Sequence, residues 1–246
     1  MQWFKADMHI HTVLSPCGGL DMSPVNIIRQ AIEQKLDIIA ITDHNSTLHC
    51  RLVCELGDRY GIKVIAGAEI NTSEEIHCLT FFENIEMAEE FQLYIDDHLM
   101  DIRNNPDVFG HQFIVDEYEN ILGEENRVLG AAMTKGIDEI SRFVNQLGGL
   151  FIPAHINRRH SGLYNQIGFL PETAQMDALE IAQFPGFREF LSEHPETSKF
   201  TLISNSDSHD LERIGAVTTE YYLERPDFTE LVKAIKGLDG RKVKAL

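Results

Sequence analysis

Histidines and carboxylates recur in this chain where apolar runs stop. His9 and His11 close the first such run, Asp43 and His44 the second, Glu69 the third, His155 a later one, and Asp207 with His209 the last strong one. His77 opens the run that follows Glu69. Imidazole and carboxylate donors of this kind bind zinc, manganese or iron. Repeated at strand after strand, they describe a cluster on one face of a barrel. Such a cluster can hold two or three divalent cations around a hydrolytic water.

The run Asp7-Met8-His9-Ile10-His11 is the strongest local signal. Side chains two apart on a strand point the same way, so Asp7, His9 and His11 are expected to face inward while Met8 and Ile10 face a helical layer. Two adjacent imidazoles at a strand end can chelate one metal. Taken alone they could equally be partly buried, hydrogen-bonded histidines. Asp7 either accepts from an imidazole N–H or merely starts the strand. Asp43 and His44 follow the buried run Ile38-Ile39-Ala40-Ile41. His44 reads as a ligand, whereas Asp43 could ligate, orient His44, move a proton or cap the next helix. The two oxygens of Glu69 suit it to bridge two cations. Asp207 and His209, again two apart, add a carboxylate and an imidazole. Arg158 and Arg159 follow His155 and could grip a phosphate bidentately, although a solvated turn explains either one singly. His49, His98, His111 and His194 read as solvated, and Cys50 and Cys54 as packing thiols. There is no nucleophile elbow and no P-loop.

Short β-branched runs supply the strands that would position these groups: Ala6–His11, Asp37–Thr42, Lys63–Ile70, Ile76–Phe82, Leu150–His155, Ala178–Phe184, Thr201–Asn205 and Ala216–Leu223. Helical periodicity fills most gaps, over Pro24–Lys35 with Ser23 as N-cap, Ser46–Tyr60, Met87–Ile102, Gly136–Leu147 and Phe228–Ile235. Alternating strands and helices predict parallel pairing through crossovers. Asn71–Glu75 is too short for a crossover, which needs about a dozen residues, so Glu69 and His77 are expected to face each other across a hairpin. Residues 84–135 are the least barrel-like; Gly110–Glu117 and Asn120–Leu122 read as a small β-hairpin insertion beside the active-site mouth. No second domain is indicated within 1–246.

The 246 residues suffice for one α/β barrel, and no apolar run reaches the ~20 residues that span a bilayer. Met1–Asp7 lacks the form of a secretory leader, and the four cysteines (Cys17, Cys50, Cys54, Cys78) form no CxxC pair, so a cytoplasmic setting is expected. A net charge of −18 opposes stable binding to long nucleic acid, which needs Lys and Arg against phosphate. It leaves a small phosphorylated substrate or a short nucleic-acid end as partner, because bound cations reverse the local field. No membrane partner is expected.

Taken together, Asp7-x-His9-x-His11-Thr12, Thr42-Asp43-His44-Asn45, Glu69 with His77 and His155, and Ser206-Asp207-Ser208-His209 resemble, in order, the four motifs of the PHP (polymerase and histidinol phosphatase) superfamily of metal-dependent phosphoesterases. The resemblance covers nearly the whole chain. It implies a distorted (β/α)7 TIM-like barrel with a metal cluster at the C-terminal mouth. It places His9, His11, Glu69 and Asp207 on one metal, Glu69, His77 and His155 on a second, and His44 with His209 on a third. Many members complete the third site with a His or Asp where this chain has Cys17, whose thiolate could substitute. The implied chemistry is hydrolysis of phosphomonoesters or of nucleotide and oligonucleotide phosphates by a metal-bridging hydroxide, with Asp43, Asp207 or His209 carrying protons and Arg158 or Arg159 holding phosphate. Two rivals stand beside it. An amidohydrolase-type metalloenzyme would normally use a strand-borne bridging Lys, and a non-catalytic metal-stabilised module would have lost ligands.

Overall fold

Ile38–Ile41 (β2) is buried at every residue. A strand covered on both faces must be apolar throughout, and β2 lies between β1 (Gln2–Ile10) and β3 (Lys63–Asn71), parallel to both. The computed structural model describes residues 1–245. The other strands are β4 (His77–Phe82), β5 (Phe113–Val115), β6 (Ile121–Glu124), β7 (Leu150–Pro153), β8 (Leu179–Glu180), β9 (Leu202–Ile203), β10 (Thr219–Leu223) and β11 (Lys242–Lys244). Seven of them form one sheet in the order β11-β10-β1-β2-β3-β4-β7.

The helices are α1 (Pro24–Glu33), α2 (Cys50–Tyr60), α3 (Ile85–His98), α4 (Pro106–Phe109), α5 (Ile137–Gln146), α6 (Leu163–Gln166), α7 (Phe187–Glu193) and α8 (Phe228–Ile235). The Ser23 hydroxyl caps α1 by accepting from Asn26 N, with Pro24 in the first turn. The outer face of the sheet packs against α1, α2, α3 and α5 through residues such as Ile28, Val53, Phe91 and Val144. A second apolar layer fills the inner face: Phe4, Ala6, Met8, Ile38, Ala40, Ile65, Leu79, Phe81 and Ile152, closed off by Phe228 and Leu231 of α8.

Three expectations change. The hydrogen-bonded ladder does not close into a barrel: the seven-stranded sheet is an open half-barrel, and the separate parallel pair β8–β9 packs beside β7 and β11. Within this sheet the parallel pairings are β1–β2 and β2–β3; the short loop after β3 reverses the chain, setting Asn71 opposite His77 as its length requires, and the pairs β3–β4, β4–β7, β1–β10 and β10–β11 are antiparallel. Finally, Met8 belongs to the inner layer with Phe4 and Ala6, while Ile10 joins the outer one. The β1–β2 register shifts between Asp7 and Ile10. A bulge of this kind re-aims side chains, and it turns His9 and His11 toward the inner face, where simple alternation would have set Asp7.

Residues 84–135 contribute α3 to the outer layer and also carry the β5–β6 hairpin. Among the described residues no helix is long and apolar enough to cross a membrane.

Candidate metal centre

The inner face ends in a rim where β1, β3 and β7 finish and β4 begins, and the imidazoles meet there around Glu69. Glu69 Oε1 lies 3.0 Å from His77 Nδ1, 3.0 Å from His155 Nε2 and 3.2 Å from His9 Nε2. Its Oε2 lies 3.0 Å from His44 Nδ1 and 3.3 Å from His11 Nε2. Asp207 Oδ1 closes the group at 3.3 Å from both His9 Nε2 and His11 Nε2. Three of the residues involved have left-handed backbone: Asn45 (φ 42), His155 (φ 29) and Asp207 (φ 50). For side chains other than glycine this stores about 1–3 kcal/mol each. The surrounding bonds hold it: Asn45 donates to Leu129 O and Ala131 O, and the Ser208 and His11 amides pair with β1 and the Asp207 loop.

Neighbouring groups decide which nitrogen of each ring faces the cluster. His9 Nδ1 meets the Glu180 carboxylate at 3.1 Å and must donate to it, so in the neutral ring Nε2 is the nitrogen that keeps a lone pair. His11 Nδ1 lies 3.0 Å from Ser15 Oγ, whose own proton goes to Asp43 Oδ1 at 2.7 Å; His11 Nδ1 therefore donates and Nε2 is free. His209 Nδ1 donates to Asp207 O at 3.1 Å.

Electrostatically the site is tightly coupled. Burial pushes the His9, His11 and His44 rings down, but the carboxylates beside them outweigh it: His9 is held well above its ordinary range, and His11 and His44 are each raised to about 9. Glu69, despite a burial that raises it, is held far below the carboxylate range by His77, His9 and His44. Asp207 is likewise depressed by His9 and His11. His209 is pushed down to about 3 by burial and the charge of His11. Asp7, whose burial dominates, rises to about 6.

Buried polar atoms are nearly always hydrogen-bonded. Of the eight buried side-chain atoms lacking a partner among the described residues, four face one another here: His9 Nε2, His11 Nε2, His44 Nδ1 and Asp207 Oδ1; a fifth, His155 Nδ1, lies on the far side of a ring that meets Glu69 through Nε2. The approaches of the first four to carboxylate oxygens are close but lack hydrogen-bond alignment, as donors arranged around a shared centre would be. The donor atoms form three overlapping sets with mutual distances within 4.8 Å: His9, His11, Glu69 and Asp207; His44, Glu69 and His77; and His11, His44 and His209. Nitrogen and oxygen donors in sets of three or four suit divalent zinc, manganese or iron, so the residues present fit a multinuclear centre.

A pocket of about 370 Å³ opens onto the cluster, lined by His44, Glu69, His77, His155, Asp207 and His209 together with Arg158, Arg159, His160 and Ser161. Arg158 pairs with Asp207 Oδ2. Two candidates fall outside. Asp43 does not reach the pocket: Oδ1 accepts from Thr12 N and Ser15 Oγ, and Oδ2 from Thr12 Oγ. Cys17 is exposed and in none of the donor sets, although its thiol touches His44. Asp7 neither meets an imidazole nor merely starts β1; it accepts from Ser206 N and Gly215 N.

Sequence reasoning missed Glu180, Asn205 and Ser15. Glu180 is buried within an apolar strand and accepts from His9 Nδ1, His155 N and Asn205 Nδ2; a lone Glu inside Ala178–Ile181 was the available signal. His49, expected in solvent, is buried between Thr12 and Val115.

With this geometry in hand, comparisons become informative. The PHP domain profile matches residues 7–180. The uncharacterized protein YqxK of Bacillus subtilis (strain 168) is 25% identical over 277 aligned residues, covering 99% of this chain and 64% of that protein. The lesion-specific endonuclease PfuEndoQ of Pyrococcus furiosus superposes with a TM-score of 0.72 at 20% identity, covering 98% of this chain and 58% of that one. An endonuclease Q complex with a 27-mer duplex substrate, an abasic lesion at its active site, superposes with a TM-score of 0.71 at 20% identity, with the same coverage of 98% and 58%. The chain thus spans under two thirds of the length of each of these three proteins.

Proposed function

This chain belongs to the PHP domain family, and on that premise we propose that it is a metal-dependent phosphoesterase acting on phosphomonoesters or on nucleotide and oligonucleotide phosphates. The carrying observation is the set of four buried donor atoms without partners, His9 Nε2, His11 Nε2, His44 Nδ1 and Asp207 Oδ1, gathered with Glu69 beside one pocket that two arginines edge. His9, His11, Glu69 and Asp207 would hold one metal, Glu69 and His77 with His155 a second, and His44 with His209 a third, so that each imidazole serves one metal. When bound, divalent metals supply Lewis acidity for a phosphoryl group and make water nucleophilic at neutral pH.

The chain's own residues supply orientation and charge. Glu180 and Ser15 fix the His9 and His11 tautomers, aiming Nε2 of each ring inward. Arg158 and Arg159 stand at the pocket edge with guanidinium donors that match phosphate oxygens. Incoming phosphate would compete with Asp207 Oδ2 for Arg158. Asp207 and His209 line the pocket, where Asp207 can accept at Oδ2 and His209 at Nε2 only while it holds no third metal; Asp43 is fully engaged elsewhere and acts by positioning. The amidohydrolase-type rival is disfavoured because no lysine lines the pocket among the described residues.

The acidic chain favours small substrates or strand ends over continuous duplex binding. The test is a panel of phosphomonoesters, nucleotides, oligonucleotide ends and lesion-bearing duplex, run on protein reconstituted with Mn²⁺ or Zn²⁺ beside elemental analysis. Turnover of a phosphoester with more than one metal per chain is expected. Protein that refuses metal, or loads it and cleaves no phosphoester, would overturn the assignment.

A further inference from the structure

We infer that His49 is a positioning residue of the metal centre, and that through it the β5–β6 hairpin is built into the first metal-ligand loop. The inference rests on the metal-binding reading above. Its basis is a hydrogen-bond chain whose donors and acceptors admit one direction. Val115 N, on β5, donates to His49 Nε2 at 3.1 Å. Because that nitrogen accepts, the neutral ring carries its proton on Nδ1, which donates to Thr12 Oγ at 2.7 Å. Thr12 Oγ then donates to Asp43 Oδ2 at 2.8 Å. The other oxygen, Asp43 Oδ1, takes the Ser15 hydroxyl proton at 2.7 Å and Thr12 N at 2.7 Å. With its proton so committed, Ser15 Oγ can only accept, from His11 Nδ1 at 3.0 Å and His44 N at 3.1 Å. The chain thus ends on the His11 ring and on the backbone amide of His44, and both residues are members of the third donor set.

Every link before His11 and the His44 amide is a group that lines no part of the pocket. His49, Thr12, Ser15 and Asp43 are all buried, so water cannot replace a missing partner. Removing His49 leaves Val115 N unpaired and loosens the Thr12 hydroxyl that holds Asp43 in place; once Asp43 is displaced, the Ser15 proton is free to turn toward His11 Nδ1. His11 would then present the wrong tautomer, with a hydrogen on Nε2 where a lone pair is required. Groups that orient a ligating imidazole typically change metal affinity by about 10–100-fold.

The test uses Co²⁺ alone as probe on the full chain, with affinity from chelator competition and ligand geometry from its visible absorption. His49→Phe keeps the ring volume and deletes both bonds. The expected result is about tenfold or greater weakening of one Co²⁺ site and an altered spectrum, with His49→Gln, whose amide can both accept and donate, restoring most of both. Parent-like binding and spectrum in His49→Phe would overturn the inference. So would equal weakening in both variants, which marks a packing role. Should His49→Phe fail to fold, Thr12→Val decides: weakened Co²⁺ binding supports the relay and parent-like binding refutes it. Failure of the parent protein to bind Co²⁺ at all would instead sink the metal-binding reading.

Discussion

Glu69 and Glu230 are both buried carboxylates, and both are held well below the ordinary carboxylate range, yet their surroundings differ in kind. Glu230, on α8, sits where β1 begins. Its Oε2 accepts from Glu224 N and Arg241 Nε at 2.9 and 2.8 Å, and its Oε1 from Lys233 Nζ and Arg241 Nη2 at 3.0 and 2.8 Å. These donors keep their protons at any physiological pH, and the guanidinium fork matches the carboxylate. Glu69 sits at the rim where β1 ends and is surrounded by imidazoles only. Imidazoles can exchange a proton for a metal ion. The first arrangement is closed and serves stability. The second is satisfied only in part by protons, and the atoms left over define what it is built to receive.

The difference predicts opposite mutational signatures. Glu69→Gln should have the largest effect: loss of at least one metal per chain and a fall in phosphoester turnover of a hundredfold or more, with folding retained, as read by elemental analysis, kinetics and circular dichroism. Retained stoichiometry and rate would show that Glu69 does not join two donor sets. Glu180→Gln comes next. It leaves every ligand in place but weakens the acceptor for His9 Nδ1, so metal affinity should drop by about 10–100-fold; chelator competition would measure it, and an unchanged constant would demote Glu180 to packing.

At the other pole, Glu230→Gln should lower the melting temperature by several degrees at neutral pH and leave metal content untouched. The pH dependence has a definite sign. Glu230 is depressed from 4.5 to about 2, first by its bonds with Arg241. A depressed carboxylate contributes stability that is fully present above its unfolded value and is lost as pH falls through the folded one. The gap in melting temperature between parent and variant should therefore be constant above about pH 5 and shrink toward pH 2. A gap that persists at pH 2 would mean the bond is steric rather than ionic. Cys17→Ser should have the smallest effect, with metal content and rate unchanged, since the exposed thiol lies outside every donor set. A drop in occupancy would bring the sulfur into the third site.

Much of the centre was legible because ligation restricts residue type. Strand-end chemistry picked out His9, His11, His44, Glu69, His77, His155, Asp207 and His209 as candidate donors, and the fold brings these side chains together around Glu69 and Asp207, His155 through its contact with Glu69 and outside the three donor sets. The hairpin between Glu69 and His77 followed from loop length alone. Asp43 stayed open among ligating, orienting His44, moving a proton and capping, because a carboxylate beside a histidine looks the same in sequence whether its oxygens face the pocket or a threonine and a serine. Glu180 and His49 escaped for a related reason: their partners lie far along the chain, His9 171 positions away and Val115 66.

By itself the sequence determined the local alphabet: buried runs with period-two or continuous apolarity, helix caps such as Ser23-Pro24, and metal-type side chains where those runs end. These depend on contacts a few residues long. The tertiary structure decided which way the letters face. The bulge after Asp7 put Asp7 and Met8 out of phase with His9, Ile10 and His11, the ladder stayed open rather than closing into a barrel, and hydrogen bonds to Glu180 and Ser15 selected the ring nitrogens that point inward. Orientation and tautomer depend on groups brought together only by folding, because a proton's position is set by the partner it meets and not by its neighbours in the chain.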